Sequence, residues 1–263
     1  MRDFYERFYA VVNQSQAHAH FCERAFGRNL CQHGFADMGQ LDALLAALQP
    51  TPQHHLLDLG CGNGLIAEYI SDVTGAHVTG LDYISAAIEQ AQARTAAKAD
   101  RLSFQVGELN ALDLPAATYD AILAIDTIYF SNDYAATIRQ LVAALRPGGR
   151  LAFYYAYGIE PGMTVEAFRP ETLAPARTPL AEALQANGLT FTTTDFTNEE
   201  YRLAQLRKAV LTELEPAFAA EEILFLFESR MGEAQGISHA IEQGLHRRYL
   251  VITDAVADRM DEK

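Results

Sequence analysis

Three glycines at alternate positions, directly after a short apolar run, constrain the fold of this chain more than any other feature. Residues 56–64 read Leu-Leu-Asp-Leu-Gly-Cys-Gly-Asn-Gly, and a helical pattern follows. A second apolar run, residues 76–81, leads to Asp82, eighteen residues after the last glycine. In a doubly wound sheet, a glycine loop after one strand and an acid after the next bind an adenosine-containing ligand. The sequence therefore predicts such a site on a parallel sheet.

Short apolar runs alternate with helical patterns through the middle of the chain. The alternation predicts strands at 55–59, 76–81, 102–106, 119–125 and 150–157, with helices at 65–73, 85–98 and 133–145. Ser85 and Asp133 stand at the N-cap positions of two of these helices. Two further β-like runs, 189–196 and 248–253, bring the expected total to seven strands. This order indicates an α/β fold with a doubly wound, mostly parallel, Rossmann-like sheet.

The two ends of the chain carry helical patterns outside this alternation. Residues 1–50 predict an N-terminal helical lid, and residues 199–245 predict a helical cap inserted before the last strand. Pro216 should break the cap helix, because proline removes a backbone donor. The binding core is expected at 51–198, with the last strand and a C-terminal tail at 246–263.

The charge of the chain excludes some partners. The net charge is −14, and the longest basic stretch is the pair Arg247-Arg248. Nucleic acids and anionic membrane surfaces are therefore not expected as partners. The sequence shows neither an apolar run long enough to span a bilayer nor a signal-peptide core, so we expect a cytoplasmic protein. Cys22, Cys31 and Cys61 lack metal-ligand spacing, and we expect no metal.

The acid before the glycine loop distinguishes between two adenosine cofactors. A nicotinamide fingerprint, counted from Gly60, needs glycine or alanine where this chain has Leu65, and Asp58 would repel a pyrophosphate. S-adenosylmethionine has no phosphate, and Asp58 can face its ammonium group directly or through water. The glycines allow close approach of the backbone, and Asp82 can accept both ribose hydroxyls. We therefore expect S-adenosyl-L-methionine as cofactor and S-adenosyl-L-homocysteine as product.

Residues 56–157 resemble the class I S-adenosylmethionine-dependent methyltransferase family, of the type that acts on small molecules. Asp58-Leu59-Gly60-Cys61-Gly62-Asn63-Gly64 is similar to the first motif of that family. Asp82 matches the acid that ends its second strand, and residues 145–151 match its turn into the fifth strand. The resemblance implies that residues 58 and 60–63 contact the cofactor.

The resemblance also implies contacts beyond the first motif. Glu108 and the Leu109 amide should contact the adenine, with Asp113 as a rival for the acid. Tyr83 could stack on the same ring. Asp126 should lie near the methionyl arm or the acceptor, because it ends the fourth strand.

Acceptor-side candidates follow from their positions in the chain. His33, in a glycine-bearing loop, is the histidine that we consider as a general base, and Tyr129 follows the fourth strand. Other aromatic residues could form walls around an amine or a flat phenol; these are Tyr5, Tyr9, Phe130, Tyr154, Tyr155 and Tyr157.

These observations predict methyl transfer to the nitrogen or oxygen of a small molecule. An in-line displacement on an activated carbon needs alignment and desolvation more than acid–base groups. Two alternatives stay open: a carbon acceptor, as in lipid cyclopropane synthases, and a regulatory protein that binds the cofactor without catalysis. A nicotinamide oxidoreductase is a third possibility, which Asp58 and Leu65 disfavour.

Overall fold

The computed structural model describes residues 2–159 and 163–256, and its centre is one seven-stranded sheet. The strand order is β3-β2-β1-β4-β5-β7-β6, and β7 runs antiparallel to both of its neighbours. The strands are β1 (His55–Leu59), β2 (His77–Asp82), β3 (Leu102–Val106), β4 (Tyr119–Ile125), β5 (Leu145–Gly158), β6 (Phe191–Asp195) and β7 (His246–Thr253). The predicted fold class is confirmed.

Nine helices accompany this sheet in the described part of the chain. They are α1 (Arg2–Val11), α2 (Gln16–Phe26), α3 (Met38–Leu48), α4 (Leu65–Thr74), α5 (Ser85–Arg94), α6 (Tyr134–Ala144), α7 (Pro179–Ala186), α8 (Thr197–Ala220) and α9 (Leu224–Glu242). Among these residues no helix is both long and apolar enough to cross a membrane. Met1, the loop residues 160–162 and the predicted tail from residue 257 onward lie outside the described residues.

The capping residues differ from the prediction at one helix. Asp133 caps α6 as expected, because its side chain accepts a hydrogen bond from the Ala136 amide. Ser85, however, is the first residue of α5 and not its N-cap, which is Ile84. Asp82 is the reason: its Oδ1 accepts the Ile84 N–H at 2.9 Å and so orders the turn before the helix.

The predicted break at Pro216 is wrong, because α8 continues through it to Ala220. A proline inside a helix costs about 3 kcal/mol. The residues around it are anchored on both sides of the proline, since Leu211 and Phe218 are fully buried in one hydrophobic cluster. Gly232 and Gly236 likewise lie inside α9 without ending it.

The N-terminal helices and the cap helices share a hydrophobic core beside the sheet. Phe8 of α1, Phe21 of α2, Leu203 of α8 and Leu226 of α9 belong to the same buried cluster. This cluster places α1 and α9 above the carboxyl-terminal edge of the parallel strands, where the functional residues lie. The division into a lid at 1–50 and a cap at 199–245 stays a prediction.

Candidate functional site

A cavity of about 340 Å³ opens where the strand order reverses, between β1 and β4. Ligands of open α/β sheets bind at this switch point, outside the carboxyl ends of the strands. Nine of the ten predicted cofactor residues line this first cavity, and both predicted catalytic residues do so as well. These lining residues are Gly60, Cys61, Gly62, Asn63, Asp82, Tyr83, Glu108, Leu109 and Asp126, together with His33 and Tyr129.

The loop after β1 can be built only with glycine at its key positions. Gly60 has φ +80° and Gly62 has φ +56°, and residues other than glycine rarely adopt backbone conformations in this region. A Cβ at Gly60 would collide with the side chain of Thr127, and one at Gly62 would collide with the Tyr9 hydroxyl. The loop is therefore closely packed between the residues that follow β4 and helix α1.

Asp82 is held in one orientation by backbone donors. Its Oδ2 accepts the Gly62 N–H at 2.9 Å, and its Oδ1 accepts the Ile84 N–H at 2.9 Å. Each carboxylate oxygen keeps a second lone pair, so the group can still accept hydrogen bonds from a ligand. Burial raises the pKa of Asp82, and the backbone hydrogen bonds oppose that rise.

Asp58 lies behind the loop and does not line the first cavity. Its exposed fraction is 3%, and burial, followed by the charge of Asp82, raises its pKa to about 7. A carboxyl group in this state gains from a nearby cation, which favours its ionised form. Its contact with the ammonium group of the cofactor, direct or through water, stays a prediction.

An arginine that the sequence pattern does not single out covers the end of the first cavity that is formed by Tyr83 and Glu108. Arg2 of α1 donates to Glu108 Oε1 at 2.5 Å, and its guanidinium carbon lies 4.8 Å from the centroid of the Tyr83 ring. Helix α1 therefore reaches across to the residues predicted to contact adenine. Asp113, the rival acid, does not line the cavity. A lone arginine near the start of the chain gives no local signal for such a contact.

Asp126 is bound by the protein on both of its oxygens. Arg248 Nη1 donates to Oδ1 at 2.6 Å, and Nη2 donates to Oδ2 at 2.9 Å. The Phe35 amide donates to the same Oδ2 at 2.8 Å. Asp126 therefore fixes the loop containing residues 33–35 to the end of β4, and its predicted contact with the cofactor stays a prediction. Arg248, which the sequence analysis also missed, is fully buried on β7.

A second cavity of about 330 Å³ adjoins the first one. Six residues line both cavities, namely Tyr5, His33, Gly34, Asp126, Tyr129 and Phe130. The rest of the second cavity comes from Phe4, Phe35, Ala156, Glu200, Ser229, Glu233, Ile237 and Arg248. Its walls thus combine α1, α8, α9, β5 and β7 with the loop that contains His33.

His33 stands in the wall between the two cavities. Its ring makes edge contacts with the rings of Phe4, Tyr5 and Phe8, at centroid distances of 5.1 to 5.4 Å. Burial lowers its pKa to about 4, and the carboxylate of Glu233 opposes that shift. The imidazole is therefore neutral at pH 7, and it can take up a proton only where Glu233 stabilises the imidazolium. Its Nε2 has no hydrogen-bond partner among the described residues, and Glu233 Oε1 lies 4.0 Å away.

The aromatic wall expected from β5 is wrong. Tyr154, Tyr155 and Tyr157 line neither cavity, because their side chains pack into the hydrophobic clusters on the two faces of the sheet. Tyr154 is fully buried, and its hydroxyl donates to the Gln40 carbonyl at 2.6 Å. Tyr129 and Phe130 do line the cavities, and their ring centroids lie 4.7 Å apart.

Comparison with known proteins finds methyltransferases. Residues 56–149 match the family described as "Methyltransferase domain". An O-methyltransferase (resE) of Aspergillus sclerotiorum is 36% identical over 111 residues, covering 41% of each chain. The 27-O-demethylrifamycin SV methyltransferase of Amycolatopsis mediterranei is 34% identical over 149 residues, covering 52% of this chain and 54% of the relative. The chain thus spans about half the length of these curated relatives.

Solved structures share the fold at low sequence identity. Haemonchus contortus phosphoethanolamine N-methyltransferase 2, in complex with phosphomonomethylethanolamine and S-adenosylhomocysteine, gives a TM-score of 0.74 at 17% identity. The alignment covers 95% of this chain and 60% of that one. The [4+2]-cyclase SpnF gives 0.65 at 18% identity, covering 86% and 85%. The fold alone therefore does not determine the reaction.

The sheet order, the glycine loop and Asp82 define a class I Rossmann-like binding domain. Together with the domain match at residues 56–149, they confirm the predicted resemblance to class I S-adenosylmethionine-dependent methyltransferases.

Proposed function

We propose that this chain transfers a methyl group from S-adenosylmethionine to a nitrogen or oxygen of a small molecule. The observation that carries the proposal is the wall that the two cavities share. The glycine loop, Asp82 and Glu108 line the first cavity, and His33 and Tyr129 line both. A donor in one cavity and an acceptor in the other would meet at this wall. Relatives that match the chain include O-methyltransferases and an N-methyltransferase, which supports the reaction class.

The residues of the first cavity fit the cofactor. The glycines leave room that a Cβ would fill, and Asp82 presents fixed carboxylate oxygens suited to ribose hydroxyls. We assign the adenine contact to Glu108 and the Leu109 amide, with Tyr83 as a stacking surface. Asp58 is assigned an indirect contact with the ammonium group, because its buried carboxyl gains from a cation. When bound, S-adenosylmethionine supplies a methyl group activated by a sulfonium.

The protein contributes alignment, exclusion of water and removal of one proton. The glycine loop, Asp82 and Glu108 would hold the methyl donor, whose sulfonium would supply the leaving group, and the shared wall would hold the acceptor in line with it. The proton lost by the acceptor passes to the neutral imidazole of His33. Positioned general bases contribute about 10²- to 10⁴-fold to a rate. Tyr129 and Tyr5 are assigned to the shared wall, where they exclude water from the reacting atoms.

Binding and turnover measurements test this proposal. Calorimetry should show a complex with S-adenosylhomocysteine and none with NAD, and labelled S-adenosylmethionine should methylate members of a panel of phenols and amines. His33→Asn should lower turnover about 10²- to 10⁴-fold while the dissociation constant for S-adenosylhomocysteine changes less than about twofold. His20→Asn, an exposed position on α2, is the matched control. Tight NAD binding, or a normal cofactor complex without turnover on the panel, would overturn the proposal.

A further inference from the structure

The second cavity offers hydrogen-bond acceptors between apolar walls. Rings of Phe4, Tyr5 and Phe130, with the side chain of Ile237, form most of its apolar lining. The lining also contains the side chains of one histidine, three acids and one arginine, which are His33, Asp126, Glu200, Glu233 and Arg248. What these groups present to the cavity determines which acceptors it can hold.

Glu233 projects from α9 with one oxygen fixed and the other near the shared wall. The buried guanidinium of Arg207 donates to Oε2 at 2.9 Å, while Oε1 lies 4.0 Å from His33 Nε2. The Glu233 side chain is 34% exposed, although Arg207 is fully buried. A carboxylate oxygen held in this way is an acceptor without a strong donor of its own.

Glu200 adds a second acceptor deeper in the cavity. Its Oε2 is hydrogen-bonded to His246 Nε2 at 2.7 Å. Its Oε1 is buried and has no hydrogen-bond partner among the described residues, and the closest cation, Arg248 Nη1, is 3.6 Å away. A buried acceptor without a donor gains from any ligand that supplies one.

Arg248 is the only arginine or lysine among the described residues that line the second cavity, and it is already engaged. It donates to both oxygens of Asp126 and to Gln40 Oε1 at 2.7 Å. The described residues that line the cavity therefore offer a carboxylate or phosphate no free cation, whereas Glu200 and Glu233 both lie in its walls. Such an unpaired charge is how a site excludes the wrong ligand.

We propose that the second cavity selects acceptors that carry an amine or hydroxyl donor on an aromatic or apolar body, and that Glu233 excludes anionic acceptors. The inference rests on the proposed methyl transfer and specifies its substrate class. The acceptor donates toward Glu233 and His33 at the shared wall, and its apolar body lies among the rings of α1 and Phe130.

Three small probes of matched size test the selection. Protein saturated with S-adenosylhomocysteine is titrated at pH 7.5 with 2-phenylethylamine, 2-phenylethanol and phenylacetate. The amine and the alcohol should bind, and phenylacetate should bind at least tenfold more weakly than the amine. Phenylacetate binding as tightly as the amine would overturn the inference, and so would the absence of binding by all three.

Substitutions on one helix separate the role of Glu233 from a general effect of charge. Glu233→Gln should weaken 2-phenylethylamine about tenfold and narrow the gap to phenylacetate, whereas Glu228→Gln, at an exposed position of α9, should change neither. An affinity gap between the amine and phenylacetate as wide in Glu233→Gln as in the wild type would remove the assigned role. If that variant does not fold, the wild-type ranking of the probes decides. Failure to bind S-adenosylhomocysteine would instead count against the proposed function itself.

Discussion

The two cavities share a wall but are held together by different kinds of contact. The first cavity is shaped by backbone: glycines at positive φ, and the amides of Gly62 and Ile84 bonded to Asp82. The second is shaped by the ion pairs of two buried arginines, Arg248 with Asp126 and Arg207 with Glu233. Changes to the first should therefore act mainly on ligand affinity, whereas changes to the second should act on folding as well.

The side-chain contacts of the second region are also more interdependent. Arg207 lies 3.9 Å from the centroid of the Phe35 ring, and Arg230 donates to His18 Nε2 at 2.6 Å and to the Gln32 carbonyl at 2.9 Å. These contacts join α2, α8 and α9 to the loop that carries His33. A substitution in this network leaves other buried charges without partners, which is costly in a low-dielectric interior.

The largest expected effect is on stability at the second cavity. Arg248→Met leaves the carboxylates of Asp126 and Glu200 buried without their cation, and should lower the free energy of unfolding by about 3 to 5 kcal/mol. Arg202→Met removes an exposed ion pair with Glu199 on α8 and should change the free energy of unfolding by less than about 1 kcal/mol. Urea denaturation measures both. Equal effects of the two substitutions would show that buried ion pairs do not hold this region.

The next effect is on affinity at the first cavity. Gly60 and Gly188 both have positive φ, +80° and +72°, so alanine at either position carries a similar backbone cost of about 1 to 2 kcal/mol. Only the Cβ at Gly60 would collide with a neighbour, because nothing lies within 4 Å of one at Gly188. Calorimetry should show that Gly60→Ala weakens the binding of S-adenosylhomocysteine at least a hundredfold, and that Gly188→Ala weakens it less than twofold. Similar losses in both variants would contradict the assigned role of the loop.

A smaller effect distinguishes the two candidate acids at the adenine end. Glu108→Gln should weaken the binding of S-adenosylhomocysteine about tenfold, since a charged hydrogen-bond acceptor is replaced by a neutral amide. Asp113→Asn should leave the dissociation constant within about twofold, because Asp113 does not line the cavity. Calorimetry under the same conditions compares them, and the reverse order would assign the contact to Asp113.

The smallest effect is a difference in how the two regions respond to pH. The pKa of His33 is lowered from 6.5 to about 4, so the unfolded chain binds a proton that the native state does not, and stability falls as pH drops below 6.5. The pKa of Asp58 is raised from 3.8 to about 7, so its contribution to stability is lost as pH rises through 7. Charged groups facing His33 are Glu233, Arg230, Arg207 and Asp126.

Unfolding free energies at pH 5.5 and 7.5 measure this difference. For each variant, the difference in the free energy of unfolding from the wild type is compared at the two pH values. For His33→Asn this difference should be roughly 1 kcal/mol more favourable at pH 5.5 than at pH 7.5. For Asp58→Asn it should be less favourable at pH 5.5, by on the order of 1 to 2 kcal/mol. Shifts of the same sign in both variants would contradict the assigned protonation states.

Sequence reasoning reached the first cavity because its determinants are local. The glycines after β1 and the acid that ends β2 must fall at fixed points of a strand–loop–helix unit, and the structure places Gly60, Gly62 and Asp82 together. The strand pattern also gave the seven-stranded sheet. Pro216 was misjudged because a local penalty was weighed without the tertiary packing on both sides of it.

The second cavity could not be derived in the same way. Arg207, Glu233 and Arg248 come from distant segments, and a buried arginine has the same local sequence signature as an exposed one. The sequence suggested His33 from its loop, but not the carboxylate of Glu233 beside it. The end of β5 was predicted to within one residue, but the local sequence did not show that helices cover both faces of the strand there and bury its tyrosines.

A crystal structure of the complex with S-adenosylhomocysteine tests these assignments most directly. Adenine should lie beside Glu108, the ribose hydroxyls should contact Asp82, and the sulfur atom should be directed toward His33 and Tyr129 at the wall shared by the two cavities. An adenine ring at the His33 end, or a ligand seated in the second cavity with the first one empty, would contradict them.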